Sequence, residues 1–430
     1  MFPAHGAVSD PGYAARVRRA GVIGAVAAAM LAVPPGAAWA SDTTPNLSWQ
    51  TNGVVRAIAF SNGVMYVGGE FSEVRPPGTA VGSRRSVRRS NVAAFSTTTG
   101  DVLRWRPHVS GIVYSIAVSG SRVYLGGAFT SIDGVVRDRL AAVTIAGTLT
   151  RWHPRADAAV HVVRIGPNGD VFVGGLFTRI GSVLRSRVAE ITPAGTLTAW
   201  APRVAQVAGA VCPPRCRPVV FTIAFSPARG SAYLGGHFGL VNDVARNEAA
   251  SVPLADGSAV TGFNPNIYAP ANCAGCTTPE SSRVYTMIVT PSRVYTCGGY
   301  WKVNGTRQSF NVSAFDPGTG ALDPTFTVQD DGDTPGCALR NGILYVGGHF
   351  NVAGPGCRPT HLEACATRHH VAAIDTATNA LRPWNPGANS THGLLVIRAA
   401  RRRVAFGGYM TKMGGIDQQS LAVYKAAHLP

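Results

Sequence analysis

Along this chain, short stretches of alternating β-branched, aromatic and small residues are separated by clusters of Gly, Asn, Asp and Thr. One phrase sets the pattern, Val64-Met-Tyr-Val-Gly-Gly-Glu-Phe71, and it returns six more times. The first glycine falls at Gly68, Gly126, Gly174, Gly235, Gly298, Gly347 and Gly407, and the residue three further on is Phe71, Phe129, Phe177, Phe238, Trp301, Phe350 or Met410. Steps run from 48 residues (Gly126 to Gly174) to 63 (Gly235 to Gly298). A repeat of this length, rich in strand formers and punctuated by glycine, predicts a propeller blade rather than a helical solenoid.

Each repeat reads as four short strands. In the first they are Val55-Arg-Ala-Ile-Ala-Phe60 near the axis, the glycine-pair strand, Val92-Ala-Ala-Phe95, and an outer strand ending in Leu103-Arg-Trp105. The period of two puts Tyr66 and Val67 on opposite faces, so both faces are buried between neighbouring blades, and the glycines let backbones approach there. Asn46-Leu-Ser-Trp49 has the form of an outer strand without its blade, while Gly407 and Leu421-Ala-Val-Tyr424 supply a last blade without its outer strand. The expectation is an all-β, seven-bladed β-propeller in which the N-terminal strand completes the last blade, protecting two edges that an open ring would expose.

Spacing locates four insertions. The interval from the aromatic to the third strand is 11 residues in most blades (Phe129 to Leu140) but 21 in two (Phe71 to Val92, Phe350 to Val371). The interval from the outer aromatic to the next glycine pair is 35 in two cases (Trp200 to Gly235, Phe263 to Gly298), against 19 to 23 elsewhere. Strands alternate up and down, so both loop types emerge on one face of the disc. Loops on a rigid scaffold carry function, which marks that face for binding.

The first forty residues have the features of a secretory signal: Arg16, Arg18 and Arg19, an apolar or small run from Gly21 to Val33, and Ala38-Trp39-Ala40 before Ser41. The run is too short for a membrane span. The expected organisation is a signal over 1–40 and one propeller domain over 41–430, exported, without a membrane anchor, as a monomer. Losing Arg16, Arg18, Arg19 and Asp10 takes 39 basic and 22 acidic residues to 36 and 21, a net charge of +15. Arginine dominates over lysine, which GC-rich coding or an anionic partner explains equally well.

The strongest positional charge pattern is an arginine three residues before the third strand: Arg89, Arg137, Arg185, Arg246 and Arg368, with Ser309 and Gln418 in the other two blades. These are the candidate ligand-binding residues, since guanidinium forks suit phosphate and carboxylate; bonding of loop carbonyls is the competing reading. Glu70, His237, Tyr300, His349 and Tyr409 share another position, two after the first glycine, and either line a cleft or pack as hydrogen-bonded polar groups.

Eight cysteines in an exported chain are expected as disulfides. Cys297 pairs with Cys337 across neighbouring blades, and Cys357 with Cys365. Cys212, Cys216, Cys273 and Cys276 either close small rings, cross-link two loops, or hold Zn²⁺ as four thiolates. Cys357, His361, Cys365 and His369 recur every four residues as a second zinc possibility, opposed by Pro355 and Pro359. Asp330-Asp-Gly-Asp333 reads as a solvated turn rather than a calcium loop. No metal and no cofactor is expected, and neither a nucleotide fingerprint nor a hydrolase motif is present.

The phrases Val123-Tyr-Leu-Gly-Gly-Ala-Phe129 and Asn304-Gly-Thr-Arg307, with Val312-Ser-Ala-Phe-Asp-Pro-Gly-Thr-Gly320 behind them, resemble the secreted delta-sixty-type repeat propellers of actinobacteria. They are also similar to kelch blades and to the fungal cortical polarity-marker ectodomains. The resemblance implies an extracellular propeller and brings no catalytic residue. In blade five Thr296-Cys297 stands for Tyr-Val and Trp301 for Phe. The functional expectation is a non-enzymatic binding or scaffolding propeller that engages an anionic cell-envelope polymer or an acidic protein, and no nucleic acid. The alternative is an extracellular hydrolase or lyase with its site at the axis.

Overall fold

The computed structural model describes residues 43–46, 48–207, 217–268, 282–305, 311–357 and 362–430. Of the three-stranded antiparallel sheets among them, seven are built on long inner strands. Their inner strands are Val54–Ser61, Val113–Ser119, Val160–Ile165, Val219–Ser226, Arg283–Val289, Gly336–Arg340 and Leu394–Ala400. Each inner strand packs against the inner strand of the next sheet, and Leu394–Ala400 returns to Val54–Ser61, which closes a β-propeller. The fourth strand shrinks to a single bridge in most blades, such as Val143 to Leu149 and Ile191 to Leu197. A bridge suffices because the tryptophan beyond it does the anchoring.

Those tryptophans follow one rule. Trp105, Trp152 and Trp200 stand edge-on to the second-strand aromatic of their own blade, with Tyr66, Tyr124 and Phe172 at 5.0–5.1 Å. Each indole N–H then donates to the end of the third strand of the next blade, at Thr144 O, Thr192 O and Pro253 O. Edge-to-face packing thus holds a blade together and the hydrogen bond joins it to its neighbour.

The two glycines do different jobs. A Cβ at Gly126 would lie 2.6 Å from Val163 Cγ2 of the next blade, and one at Gly127 would lie 2.1 Å from Ile112 O of its own inner strand. The first glycine therefore sets the distance between blades and the second the distance within one. Blade five departs from this pattern by one residue from the sequence expectation. Val312 pairs with Cys297 where Val92 pairs with Gly68. Cys297 consequently occupies the first-glycine place, and fully buried Tyr300, not Trp301, occupies the aromatic place. Its sulfur fills the gap where other blades set an aliphatic or Met side chain against glycine, and it is bonded to Cys337 of blade six.

Cys357 and Cys365 form the second disulfide among the described residues, so their thiolates are not free to hold zinc with His369. Cys212, Cys216, Cys273 and Cys276 lie outside the described residues.

Closure uses the N-terminal segment as expected, but through one bridge. Asn46 pairs with Val423, and its side chain accepts from Lys425 N at 2.7 Å. Gln418 Nε2 reaches Ser48 O and Oγ. Seven small sheets or bridges pair the loop after each second strand with the approach to an inner strand, as Gln50–Thr51 pairs with Glu73–Arg75 and Val109 with Ile132. Both loop types accordingly meet on one face.

The Asp330-Asp-Gly-Asp333 turn is not uniformly solvated. Asp331 Oδ1 accepts from Asn351 N and Val352 N. Asp330 is buried and accepts from Asn311 Nδ2 at 2.8 Å and Thr334 Oγ1 at 2.6 Å. Burial outweighs these bonds and pushes its pKa up to about 8. A carboxyl raised in the folded state contributes full stability below the unfolded pKa of about 4, and that contribution is lost as pH rises through about 8. The melting temperature should therefore fall between pH 5 and pH 8, and Asp330→Asn, which keeps both neighbours bonded, should flatten the fall. Equal pH profiles for the two proteins in calorimetry would count against a protonated Asp330.

Candidate functional site at the propeller axis

The five arginines proposed from position alone have another task in the structure. Each guanidinium donates to two backbone oxygens of its own blade: Arg137 to Val136 O and Thr150 O, Arg185 to Leu184 O and Thr198 O. Arg89, Arg246 and Arg368 repeat the pattern, with bonds to Leu103 O, Thr261 O and Arg382 O. They staple the start of the third strand to the outer segment two residues before the Trp or Phe. Buried Gln418 occupies this place in blade seven. A ligand bound there would have to compete with bonds already made.

The shared position after the glycine pair also separates. His237 is buried; Gln206 Nε2 lies 3.0 Å from its Nε2, and its Nδ1 is 3.3 Å from Glu248 Oε1 and 3.1 Å from Ser282 O. With Gln206 donating, Nδ1 carries the proton. Ser282 Oγ donates to the same carboxylate rather than to the imidazole, so this knot holds no serine–histidine pair. Burial holds the Glu248 carboxyl above its usual range. Tyr300 Oη is buried between Thr296 and Ser313. Gly299 takes the vacated position, and a Cβ there would meet Asp333 Oδ1 at 2.5 Å. Glu70, His349 and Tyr409 remain open: Tyr409 Oη accepts from Arg56 Nη2 at 2.9 Å, and Glu70 lies 3.9 Å from the same nitrogen.

Arg56 belongs to a ring that alternation does not reveal. In six blades the inner strand carries a β-bulge next to the second glycine, leaving one residue unpaired between, for example, Val55 and Ala57 or Val160 and Val162. A bulge re-aims the side chain it leaves unpaired. The unpaired residues are Arg56, Tyr114, His161, Phe221, Tyr285 and Leu395, and all of them line a central cavity of about 480 Å³. That volume is within the usual range for small-ligand sites, roughly 300–1,000 Å³. The sequence did hold a signal: in Val-Arg-Ala, Val-Tyr-Ser, Val-His-Val and Val-Phe-Thr, a large residue stands where a blade face wants a small aliphatic one.

Four of these side chains form a continuous arc. Tyr114 stacks on His161 at 4.6 Å, His161 meets Phe221 at 5.1 Å, and Phe221 meets Tyr285 at 5.1 Å. The Arg56 guanidinium lies 5.8 Å from the Tyr114 ring. Burial first, and the charge of Arg56 second, lower the His161 pKa to about 4, so the ring is neutral at physiological pH. Three residues further along their strands, Arg164 and Arg398 enter the cavity from blades three and seven. Each donates from Nη1 to the carbonyl before it, Val163 O and Ile397 O. Among the described residues neither has a carboxylate partner. Burial, then repulsion from Arg164, pushes Arg398 down to about 9, which still leaves it charged at neutral pH. Asp333 is the lining carboxylate; burial raises its pKa while Arg283 and His349 pull it down.

Residues 161–197 match the family described as "Domain of unknown function (DUF5122) beta-propeller". No curated protein matches the chain. Among solved structures, the computationally designed Ika8 protein is similar at 14% identity and a TM-score of 0.45, over 89% of this chain and 100% of that one. The WD40 beta propeller domain of Doa1 is similar at 11% identity and a TM-score of 0.47, over 85% of this chain and 94% of that one. The family match agrees with the ring described above, and a propeller fold points in general terms to binding or scaffolding.

Proposed function

We propose that this protein is an exported, non-enzymatic binding propeller of the delta-sixty type, freed of its first forty residues, which grips an anionic group of an envelope polymer or acidic protein at its axis. The carrying observation is the pair Arg164 and Arg398, half-buried guanidinia in a cavity without carboxylate partners among the described residues. Charges enclosed in protein are costly unless compensated, and an anionic ligand would compensate them. Two disulfides fit an oxidising compartment, and no described helix is long and apolar enough to cross a membrane. The enzymatic reading is weaker because no hydrogen bond joins the Asp333 carboxylate to His161, His349 or His392 among the described residues.

The test is a titration with polygalacturonate, poly(glycerol phosphate) and polyglutamate at rising salt. At least one should bind, weaken as salt screens the charges, and lose about tenfold or more of its affinity in Arg164→Gln/Arg398→Gln. Arg137→Gln/Arg185→Gln/Arg246→Gln should bind as the parent does and melt at a lower temperature. Absence of binding to all three polymers, or full binding by the double variant, would defeat the proposal.

A further inference from the structure

The cavity has two chemically distinct levels. Near the decorated face lies the arc Tyr114, His161, Phe221 and Tyr285 with Arg56 at its end; about 10 Å deeper, by the rise of a strand, lie Arg164 and Arg398. At the register position of those two arginines the other five blades carry Ala59, Ala117, Ala224, Ile288 and Ala338. The two guanidinia are thus confined to two blades, and the small or aliphatic residues at that position elsewhere pack into the hydrophobic clusters. Each uses one N–H on a backbone oxygen and has others to offer, since a guanidinium carries five donors.

Resting on the axial reading above, we infer that the ligand unit is an acidic sugar: one pyranose whose carboxylate sits between Arg164 and Arg398 and whose ring lies against the aromatic arc. Three observations favour a sugar over a flat aryl acid or a bare oxyanion. The arc is not a parallel slot, because successive rings are tilted by 23°, 80° and 44°, which suits a puckered ring better than a plane. Tyr114 Oη and the His161 nitrogens make no hydrogen bond among the described residues, so the arc offers polar edges for hydroxyls as well as faces for C–H bonds. A bare phosphate would satisfy the floor and leave the arc unused. Because His349 and His392, exposed residues of the decorated-face loops, line the cavity, the unit is either a free monosaccharide or the end of a chain leading outward.

Calorimetric titration of the full-length mature protein decides it, with glucuronate, galacturonate, trigalacturonate, methyl galactoside, benzoate and inorganic phosphate as probes. A uronate should bind about tenfold or more tightly than methyl galactoside, benzoate or phosphate, and lose that advantage in Arg164→Gln/Arg398→Gln. Phe221→Leu, which keeps an apolar side chain, should weaken the uronate and leave phosphate unchanged. Tighter binding of trigalacturonate assigns a chain end, and equal or weaker binding assigns the monosaccharide; either agrees with the inference. Phosphate or benzoate binding as tightly as the uronates, or no uronate binding while polyanion capture still needs both arginines, would overturn the sugar and leave the anion site standing. Polyanion capture indifferent to the arginines would remove the axial reading as well.

Discussion

Trp152→Ala is expected to destabilise the protein by about 3–5 kcal/mol, the range for removing a large buried aromatic. Trp152 is 3% exposed, stands edge-on to Tyr124 at 5.1 Å and 79°, and donates to Thr192 O of blade three at 3.1 Å. Alanine leaves a void in the second blade and an unpaired carbonyl in the third, so the seam between them fails from both sides. Trp152→Phe separates the two contributions. It retains most of the ring packing and removes only the N–H, at about 1 kcal/mol. Urea unfolding of the three proteins measures both steps. A loss under about 1 kcal/mol for the alanine variant would mean that the outer segment is not what joins these blades.

Removing residues 41–52 should lower the melting temperature by roughly 5 °C, if four or so hydrogen bonds of about 1 kcal/mol each are lost. The segment binds two blades at once. Tyr424 Oη donates to Thr43 O, and Asn46 N donates to Val423 O, both at 2.9 Å on blade seven. Gln50 Oε1 accepts from Gln419 N of blade seven at 3.0 Å and from Arg75 Nη2 of blade one at 2.9 Å. Arg75 Nη2 reaches Gln419 Oε1 as well, at 2.7 Å. Truncation therefore opens the last seam of the ring and bares the edge of Leu421–Lys425, which should also increase self-association. Scanning calorimetry with light scattering checks both effects, and an unchanged transition would show that the ring closes without its N-terminus.

Much of the candidate site was hidden in plain sequence. Arg89 and its four counterparts drew attention because they recur, and they recur because every blade needs its third strand stapled to its outer segment. The cavity residues differ from blade to blade, so no repeat marks them. Asp330 looked like part of a polar turn; its burial depends on Asn311 and Thr334 arriving from blade five and from the next inner strand. Blade five misled for a related reason. Its visible glycine pair is Gly298 and Gly299, but pairing with Val312 moves the register so that Cys297 takes the first place.

What the sequence determined by itself was everything carried by local alternation copied along the chain: the strands, the repeat, the closing segment, the shared face of the insertions and the partnership of Cys297 with Cys337. A period of two is a property of a strand alone, and repetition makes it legible. What only the tertiary structure decided was the phase of each inner strand at its bulge and the carbonyl each guanidinium reaches. One unpaired residue next to the second glycine turns Arg56, Tyr114, His161, Phe221 and Tyr285 from blade faces toward the axis. That turn follows from how closely the backbones of one blade approach at Gly69 and its equivalents, and only the closed ring brings the five side chains around one cavity.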